Sequence, residues 1–373
     1  MKLKTQLFQE ACKTILMAVD NTAANLELVT EGNNLYLNVT NKESYVSIKY
    51  ELETPEDFRA TVSAPLFLNL ISGITTDDFD LVLNGNVVNV KSGKSNYKVA
   101  MIYENDELMK LPKISIENVS VEMPINIDIL RSIVNVNGKE LQKVKNLDVS
   151  ELQKLYYIDE NGCFTFTSGA CLNSFSLEKP VKMLLNDRIV KLFKLFKTDV
   201  QFGLGHDMLP NGTMQTKIVL KTDDTYVAEI ITNDDLLINK IQGPCTATKN
   251  YIAENYAVRA VLSVKLLSGA IARLMSFTKN SVTKANMMSI FTDITINANE
   301  MSISDKLGNT EVVPVENGST VTDDYKMAMN IVDLKLVLDS CKEDHITLNC
   351  GNHRSIVVNR GTINNLIPEV GEQ

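Results

Sequence analysis

The string that most resembles a catalytic motif in this chain is Ser92-Gly93-Lys94-Ser95, which matches the end of a phosphate-binding P-loop. A complete P-loop needs another glycine five positions before Gly93, where this sequence has Val88, and a helix after its last residue. The residues that follow alternate between apolar and polar through Tyr97 and Val99, which predicts a strand. The string is therefore interpreted as a hairpin turn, and a nucleotide-dependent enzyme is not expected.

Metal-binding and nucleophilic residues are scattered. The three histidines lie far apart, and no cysteine pair has the spacing of a zinc or redox site. Acidic pairs such as Asp77-Asp78 fall at predicted turns, without a partner at ligand spacing. We therefore expect no metal, no cofactor and no catalytic constellation. The cysteines are expected to be reduced core thiols of a cytoplasmic protein: Cys12, Cys163, Cys171, Cys245, Cys341 and Cys350.

Composition narrows the class of protein. Hydrophobic residues make up 44% of the 373 positions and charged residues 22%, which is typical of a folded soluble chain. No window has the roughly 18 apolar residues of a membrane span, and the N-terminal segment is amphipathic, unlike a signal peptide. The net charge of −9 argues against a protein that grips nucleic acid with its whole surface, but it allows a local basic lining.

One pattern of elements occurs near the beginning and again at the end of the chain. Residues 66–93 and residues 334–361 both run apolar helix, acidic turn, strand, Asn/Gly turn, strand, then a basic residue and glycine. A looser copy runs from the helix around Leu184–Phe196 to the strand Lys217–Lys221. Repeated units stack or close on themselves, so the chain is expected to build a shape more than a catalytic cleft.

Helices and hairpins alternate in each third of the chain. The first helix of each third is followed by a hairpin, then by a second helix and another alternating hairpin. This predicts an α+β fold of three pseudo-repeated domains, at residues 1–115, 116–246 and 247–373, with polar, proline-containing stretches at the boundaries. The predicted first helices are Thr5–Val19, Ile125–Val134 and Val261–Phe277, and the second helices are Ala64–Ile74, Lys182–Phe196 and Ile331–Cys341.

Basic residues recur on these helices. Four of them follow one another at three-residue spacing, and Lys335 and Lys342 are seven apart, which places them on one face of a continuous helix. A solvated helix face is the simpler interpretation of each set alone. If all the helices face one surface, that surface is basic on an acidic protein. The residues are Lys13, Arg188, Lys191, Lys194, Lys197, Lys265, Arg273, Lys335 and Lys342.

The end of the chain keeps apolar residues where tails are usually polar. Leu366, Ile367 and Pro368 are therefore expected to pack on the body of the protein or on a partner.

Five strings, in order and over essentially the whole chain, resemble the bacterial-type DNA polymerase III beta subunit, the DNA sliding clamp. Thr167-Ser168-Gly169-Ala170-Cys171-Leu172 falls where that family has T-D-G-H-R-L, and Leu366-Ile367-Pro368 falls at its V-M-P-M. The other three are VVNVKSGKSNYKVAMI at residues 87–102, LLSGAIARLMSFT at residues 266–278 and MAMNIVDLKLVLDSCKEDHITLNCGNHRSIVVNRG at residues 327–361.

The resemblance implies a DNA clamp fold in which two chains close a six-domain ring, with helices lining the hole. It implies a non-enzymatic processivity factor that encircles double-stranded DNA without sequence preference, binds a DNA polymerase and a clamp loader, and forms a homodimer. The basic helix residues would face DNA, with weak, salt-screened contacts that allow sliding. A partner-peptide pocket would comprise Thr167, Gly169, Leu172, Leu366, Ile367 and Pro368, and the dimer contact would involve Tyr97, Val99 and Phe277.

Departures from the family's pattern concern the predicted pocket. The family's His-Arg is Ala170-Cys171 here, its second Met is Glu369, and its terminal Arg-Leu is replaced by residues 370–373. A standard clamp-binding peptide is therefore expected to bind weakly, and a phage or plasmid origin is one interpretation. The alternative hypothesis is a structural or assembly protein of stacked α+β repeats that does not encircle DNA.

Overall fold

A computed structural model gives the architecture of the chain. It describes residues 1–20, 24–142, 144, 148–209, 212, 214–231, 235–278, 290–352 and 354–370. The chain divides into two compact units, residues 1–131 with 188–232 and residues 132–187 with 233–373. The division into three domains, with boundaries near residues 115 and 246, remains a prediction. No helix within the described ranges is long and apolar enough to span a membrane.

The first unit is built on a four-stranded and an eight-stranded antiparallel sheet. Its helices are α1 (Thr5–Leu16), α2 (Ala64–Ser72), most of α3 (Ile127–Ser132) and most of α5 (Asp187–Leu192), which continues as a 3₁₀ turn (Phe193–Leu195). Its strands are β1 (Lys2–Lys4), β2 (Asn25–Glu31), β3 (Asn34–Thr40), β4 (Ser44–Glu51), β5 (Arg59–Ser63), β6 (Asp78–Asn84), β7 (Val87–Ser92), β8 (Ser95–Ala100), β9 (Tyr103–Glu104), β10 (Glu107–Leu108), β11 (Val119–Ile125), β16 (Val200–Met208), β17 (Met214–Lys221) and β18 (Thr225–Ile231).

Strand order explains how the first unit holds together. The smaller sheet has the order β1-β6-β7-β8, and the larger has β11-β16-β17-β18-β4-β3-β2-β5. Phe8 of α1 is fully buried, with its ring centroid 5.3 Å from that of Tyr50 and 5.6 Å from that of Phe79. Aromatic pairs at these separations stabilise a core beyond the area they bury. The core of this unit therefore lies where α1 packs on both sheets.

The second unit contains one large branched sheet. Its helices are α4 (Gly138–Gln142), preceded by a π-helical turn (Ile133–Asn137), α6 (Asp235–Ala253), α7 (Val264–Thr278) and α8 (Ile331–Leu338), with a 3₁₀ turn at Glu151–Lys154. Its strands are β12 (Leu155–Asp159), β13 (Gly162–Phe166), β14 (Ala170–Ser174), β15 (Met183–Asn186), β19 (Val258–Ser263), β20 (Phe291–Ile296), β21 (Glu300–Ser304), β22 (Thr310–Pro314), β23 (Thr320–Val321), β24 (Tyr325–Asn330), β25 (His345–Cys350), β26 (Ser355–Arg360) and β27 (Ile363–Val370).

The last strand is central to this second sheet. The main path runs β15-β12-β13-β14-β27-β24-β20-β21-β22, with β19, β23, β25 and β26 branching from it. Strand β27 pairs with β14, β24 and β26. The prediction that the chain end packs on something is confirmed, and what it packs on is the body of the protein. The terminal residues 371–373, which replace the family's last positions, lie outside the described residues.

The predicted repeat is confirmed. Helix α2 leads to the hairpin β6–β7, helix α8 leads to β25–β26, and α5 leads to β16–β17. Gly93, which ended the P-loop-like string, lies at φ +57° in the tight turn that joins β7 to β8. A hairpin turn at this string is therefore also confirmed.

Several predicted helix bounds are wrong. Val261–Ser263 belong to β19 and Met183–Asn186 to β15, because the strand before each helix shares its apolar pattern. The helix predicted at Ile125–Val134 starts at Ile127 and continues through the π-helical turn into α4.

The polar stretch predicted to mark the boundary near residue 246 is mostly helical. Apart from residues 233 and 234, which lie outside the described residues, it belongs to the 19-residue helix α6, with Pro244 in its interior. Glycine and proline suggested a linker, but burial of Ile238, Ile241 and Cys245 on one face keeps the segment helical.

Candidate functional site

The predicted peptide pocket lies at the junction of β14 and β27. The two strands are antiparallel, with Ala170 opposite Leu366 and Leu172 opposite Asn364. Gly169 precedes β14, and a Cβ atom there would lie 1.9 Å from the carbonyl oxygen of Leu366. Only glycine allows this approach, so the residue type that carried part of the family resemblance has a structural cause.

The turn before β14 is closed by hydrogen bonds. The Thr167 amide donates to the Gly169 carbonyl oxygen at 2.9 Å, and Gln153 Nε2 donates to the Thr167 carbonyl oxygen at 2.8 Å. Ser168 Oγ donates to Asp333 Oδ2 of α8 at 3.3 Å. Sequence patterns did not single out this pair, because the two residues are 165 positions apart.

Strand alternation divides the predicted pocket residues between two faces. On β14 and β27, Leu172, Leu366 and Pro368 share one face, since opposite and alternate residues point the same way. Ile367 points to the other face, where it is 2% exposed and belongs to the core that contains α7 and α8. Its assignment to one groove with Leu366 is wrong, because adjacent residues of a strand point to opposite faces.

Most of the apolar surface at this site is already covered. Leu172 is 5% exposed and Leu366 7%, whereas Thr167, Gly169 and Pro368 are partly exposed. Leu172 and Phe164 form one apolar cluster with the buried stripe of α6, Ile238, Ile241 and Cys245. Among the predicted pocket residues, Leu172 is therefore covered by the protein's own helix α6.

The opposite face of the β14–β27 junction carries a buried polar layer. Asn365 Nδ2 donates to Glu140 Oε1 of α4 at 3.0 Å, and Asn173 Nδ2 donates to Asn137 Oδ1 at 3.1 Å. All four residues are buried. Hydrogen-bonded polar groups inside a core fix strand register, because an unpaired buried group is costly. No sequence pattern indicated this layer, which brings together residues up to 225 positions apart.

Glu369 is held by an aromatic hydroxyl. The Tyr325 hydroxyl donates to Glu369 Oε1 in a short hydrogen bond. Burial, together with the adjacent carboxylate, raises the pKa of Tyr325 well above its usual value. The acidic residue that replaces the family's second Met is therefore part of the sheet structure on the β24 side of β27.

Three of the predicted DNA-facing cations are paired with carboxylates of the same chain. Arg273 contacts Glu311 through Nε at 2.8 Å and Nη2 at 2.6 Å, a bidentate pair. Arg188 Nε lies 3.6 Å from Asp20 Oδ2. Lys335 Nζ forms a salt bridge with Asp339, which lies four residues further along the chain. These side chains are partly neutralised before any ligand arrives.

Lys335 and Lys342 do not share a helix face. Helix α8 ends at Leu338, and Lys342 lies in the turn that follows. Seven-residue spacing places two residues on one face only while the helix continues, so this prediction is wrong.

Three exposed lysines follow one another from the last turn of α5 onward. Lys191, Lys194 and Lys197 are all exposed, and we call them the basic ridge. Lys191 lies in α5, Lys194 in the 3₁₀ turn and Lys197 just after it, at three-residue spacing along the chain. Within the described ranges, Lys194 and Lys197 form no ion pair. Lys13 and Lys265 are also exposed.

The residues predicted for the dimer contact differ in exposure. Tyr97 is 44% exposed on β8, and Phe277 is 56% exposed on α7. Val99 is 2% exposed and belongs to the protomer's own core, so a surface contact cannot use its side chain. Strands β8 and β22 each lie at the end of their sheet.

The titratable groups of the described residues do not build a metal centre. In this part of the chain, no three His, Cys, Asp or Glu side chains are grouped to hold a metal ion. Burial raises the pKa of Cys245 and of Cys350 to about 12, so these thiols remain protonated and unreactive at neutral pH.

Solved structures of other proteins share this fold. No protein-family model and no curated protein matches the sequence. Among solved structures, the DNA polymerase III subunit beta from Pseudomonas aeruginosa is similar over 99% of both chains, with TM-score 0.77 and 13% identity. The chain has the DNA polymerase III beta-subunit fold. Two further structures with this beta-subunit fold are similar to this chain over nearly their full lengths.

The first is the DNA polymerase III beta subunit from Thermotoga maritima, with TM-score 0.75 and 14% identity over 100% of this chain and 99% of that one. The second is the Helicobacter pylori beta clamp bound to a DNA ligase peptide, with TM-score 0.74 and 15% identity over 99% of both chains. The beta-subunit fold therefore covers the whole chain although the sequences have diverged widely.

Proposed function

We propose that this protein is a DNA sliding clamp, a non-catalytic processivity factor that encircles duplex DNA and tethers a replicative polymerase. The observation that carries the proposal is the correspondence with beta-subunit structures over at least 99% of each chain. The internal repeat of helix followed by hairpin supports it, since related units joined head to tail can close into a ring.

The ring would close by a contact between two copies of the chain. The edge strand β8 of one protomer would meet the edge strand β22 of its partner, with Tyr97 and Phe277 covering the joint. Both aromatic side chains are about half exposed in the single chain, and large apolar side chains are enriched in such contacts. A homodimer with two such head-to-tail contacts leaves neither of these edge strands open.

Contact with DNA would come from the exposed lysines of the helices. Lysine contacts with phosphates are independent of sequence and weakened by salt, which suits a protein that slides. The net charge of −9 would keep DNA from binding to the rest of the surface.

Partner proteins would bind by a short peptide at the β14–β27 junction. Thr167, Gly169 and Pro368 are partly exposed there, beside the covered Leu172 and Leu366. The Helicobacter pylori beta clamp binds a DNA ligase peptide, which supports a peptide as the ligand class. The polymerase and a clamp loader are proposed partners on the same grounds.

Retention on DNA tests the proposed function. The protein is chemically cross-linked after incubation with nicked circular DNA, so that rings closed around DNA remain closed. A clamp stays with the circle in high salt and is lost after a restriction enzyme linearises it. Equal retention on circular and linear DNA, or none on either, would contradict encirclement and favour an assembly protein built from the same repeats.

A further inference from the structure

Helix α6 covers Leu172, the buried apolar residue that the proposed peptide site has on β14. Its buried residues Ile238, Ile241 and Cys245 are three and four positions apart, so they lie on one stripe of the helix. This stripe forms a single apolar cluster with Phe164 and Leu172, which are opposite each other on β13 and β14. An apolar ligand can reach Leu172 only where this cover is removed.

The middle of α6 is weakened by its own sequence. Gly243 and Pro244 are adjacent in the helix interior, where both residue types destabilise a helix relative to alanine, proline more strongly than glycine. A Cβ atom on Gly243 would meet no atom within 4 Å, so close packing does not require the glycine. Pro244 lacks the amide that would bond to the Lys240 carbonyl oxygen. A bend in this helix would therefore cost least at Gly243-Pro244.

The C-terminal half of α6 has a polar anchor on the sheet. Lys249 Nζ lies 3.3 Å from Asp159 Oδ2 and 5.6 Å from the centroid of the Phe164 ring. The N-terminal half, residues 235–243, contributes the apolar side chains of Ile238 and Ile241 to the cluster. Apolar contacts of this kind are interchangeable with those of another apolar chain, because they carry no directional bond.

We infer that residues 235–243 are a built-in competitor of the partner peptide, displaced by bending at Gly243-Pro244 when an apolar peptide binds beside Leu172. This inference rests on the proposed function and identifies how access to its peptide site is regulated. A site that is open for only a fraction of the time has its apparent affinity reduced by that fraction. The expectation from sequence that a standard clamp-binding peptide binds weakly then has a structural cause.

The inference is tested by measuring peptide binding to variants in which the packing of α6 over Leu172 is changed. The probe is the labelled DNA ligase peptide of the kind bound by the Helicobacter pylori beta clamp, followed by fluorescence anisotropy. The double variant Ile238→Ser/Ile241→Ser weakens the cover and is expected to bind the peptide at least ten-fold more tightly than the wild type. Pro244→Ala restores the missing amide and is expected to bind more weakly.

Leu236→Ser is the matched control, because Leu236 is 69% exposed on the same half of the helix. Its affinity should equal that of the wild type. Circular dichroism confirms that each variant is folded. A folded double variant that binds no more tightly than the wild type, including no binding by either, overturns the inference.

Hydrogen exchange gives a second readout that needs no peptide. Amides of residues 239–243 should exchange faster than those of residues 248–252, and Pro244→Ala should slow them. Equal exchange in the two halves overturns the inference. The same variants are also tested for retention on nicked circular DNA. Encirclement does not depend on the opening of α6, so this measurement distinguishes failure of the inference from failure of the proposed function.

Discussion

Gly169 is the residue whose identity the structure constrains most directly. A Cβ atom there would overlap the carbonyl oxygen of Leu366, at 1.9 Å, and neither strand can move without breaking the β14–β27 ladder. We expect Gly169→Ala to lower the free energy of unfolding by about 2 kcal/mol or more, as overpacking does in tight sites. Urea denaturation followed by circular dichroism measures the change.

Gly73→Ala is the control for that measurement. Gly73 follows α2 in the right-handed region, and the nearest atom to a Cβ there is the Leu70 carbonyl oxygen at 3.5 Å. Unchanged stability is expected for this variant. A Gly169→Ala protein as stable as Gly73→Ala would show that the approach of the two strands is not as close as described.

Glu229 gives the first unit a dependence on pH. The residue lies on β18 opposite Ser44 of β4 and is 2% exposed, and burial raises its pKa from 4.5 to about 7. A carboxyl whose pKa is raised in the folded state stabilises the fold at pH values below its unfolded pKa. That contribution is lost as pH rises through about 7, because the buried group must then ionise.

We therefore expect Glu229→Gln to remove this loss. Between about pH 5 and about pH 8.5 the wild type should lose about 2 kcal/mol more unfolding free energy than the variant, an amount set by a shift of this size. Urea denaturation of both proteins at the two pH values makes the comparison. Parallel pH profiles for the two proteins would contradict the assignment.

The residue types at the candidate site could be predicted from the sequence, but the sheet face to which each side chain points could not. Gly169, Leu172 and Leu366 come together as the family resemblance implied. Ile367 was grouped with Leu366, although alternation along a strand separates them. The resemblance identified positions in the chain, whereas burial of Leu172 depends on α6, which comes much later in the sequence and lies outside the matched strings.

Among the secondary-structure elements, the basic ridge, which begins in the last turn of α5, is where salt-dependent DNA binding should be concentrated. Lys194 and Lys197 are exposed, whereas Arg273 already forms a bidentate pair with Glu311. Each phosphate that a variant no longer neutralises reduces the slope of log affinity against log salt by about 0.9. We expect Lys194→Gln/Lys197→Gln to reduce that slope by up to about 1.8.

The matched variant for the ridge is Arg273→Gln. Its effect on the slope should be small, because Glu311 neutralises the guanidinium in the wild type. Titration of the protein with short duplex DNA over a salt series gives all three slopes. If Arg273→Gln changes the slope as much as the double lysine variant does, the cations contribute equally to DNA binding. The binding is then not concentrated at the basic ridge.

Helices and hairpins were predictable from the sequence wherever one face of the element is buried and the other is exposed to solvent. Period-two and period-3.6 patterns identified α1, α2, α7 and α8 and the hairpins that follow them, with errors of a few residues at their ends. Helix α6 was missed because its Gly-Pro pair is typical of a linker. The sheet beneath it supplies the contacts that outweigh this local preference.

For the whole molecule, the dimer contact carries the clearest expectation. Phe277 is 56% exposed on α7 and is proposed to be buried against the partner's β8. Phe277→Arg would place an unpaired charge in that joint, at a cost of several kcal/mol, enough to undo a modest interface. We expect folded monomers in size-exclusion chromatography with light scattering.

Leu266→Arg is the control for the dimer experiment. Leu266 is 47% exposed on the same helix but lies about three turns from Phe277, near the other end of α7. The control should keep the wild-type mass, about twice the chain mass of 41.5 kDa. A Phe277→Arg protein that remains a dimer of unchanged strength would place the contact elsewhere.

The position of β27 has a consequence for biosynthesis. This strand, the last described segment of the chain, is inserted between β14 and β24, which are both translated before it, β14 by almost 200 residues. The second unit cannot complete its sheet until β27 has been translated, so a chain that is truncated before Ile363 has an open sheet with unpaired edges. Such edges recruit other strands. We therefore expect truncated copies of this protein to be degraded rapidly in the cell.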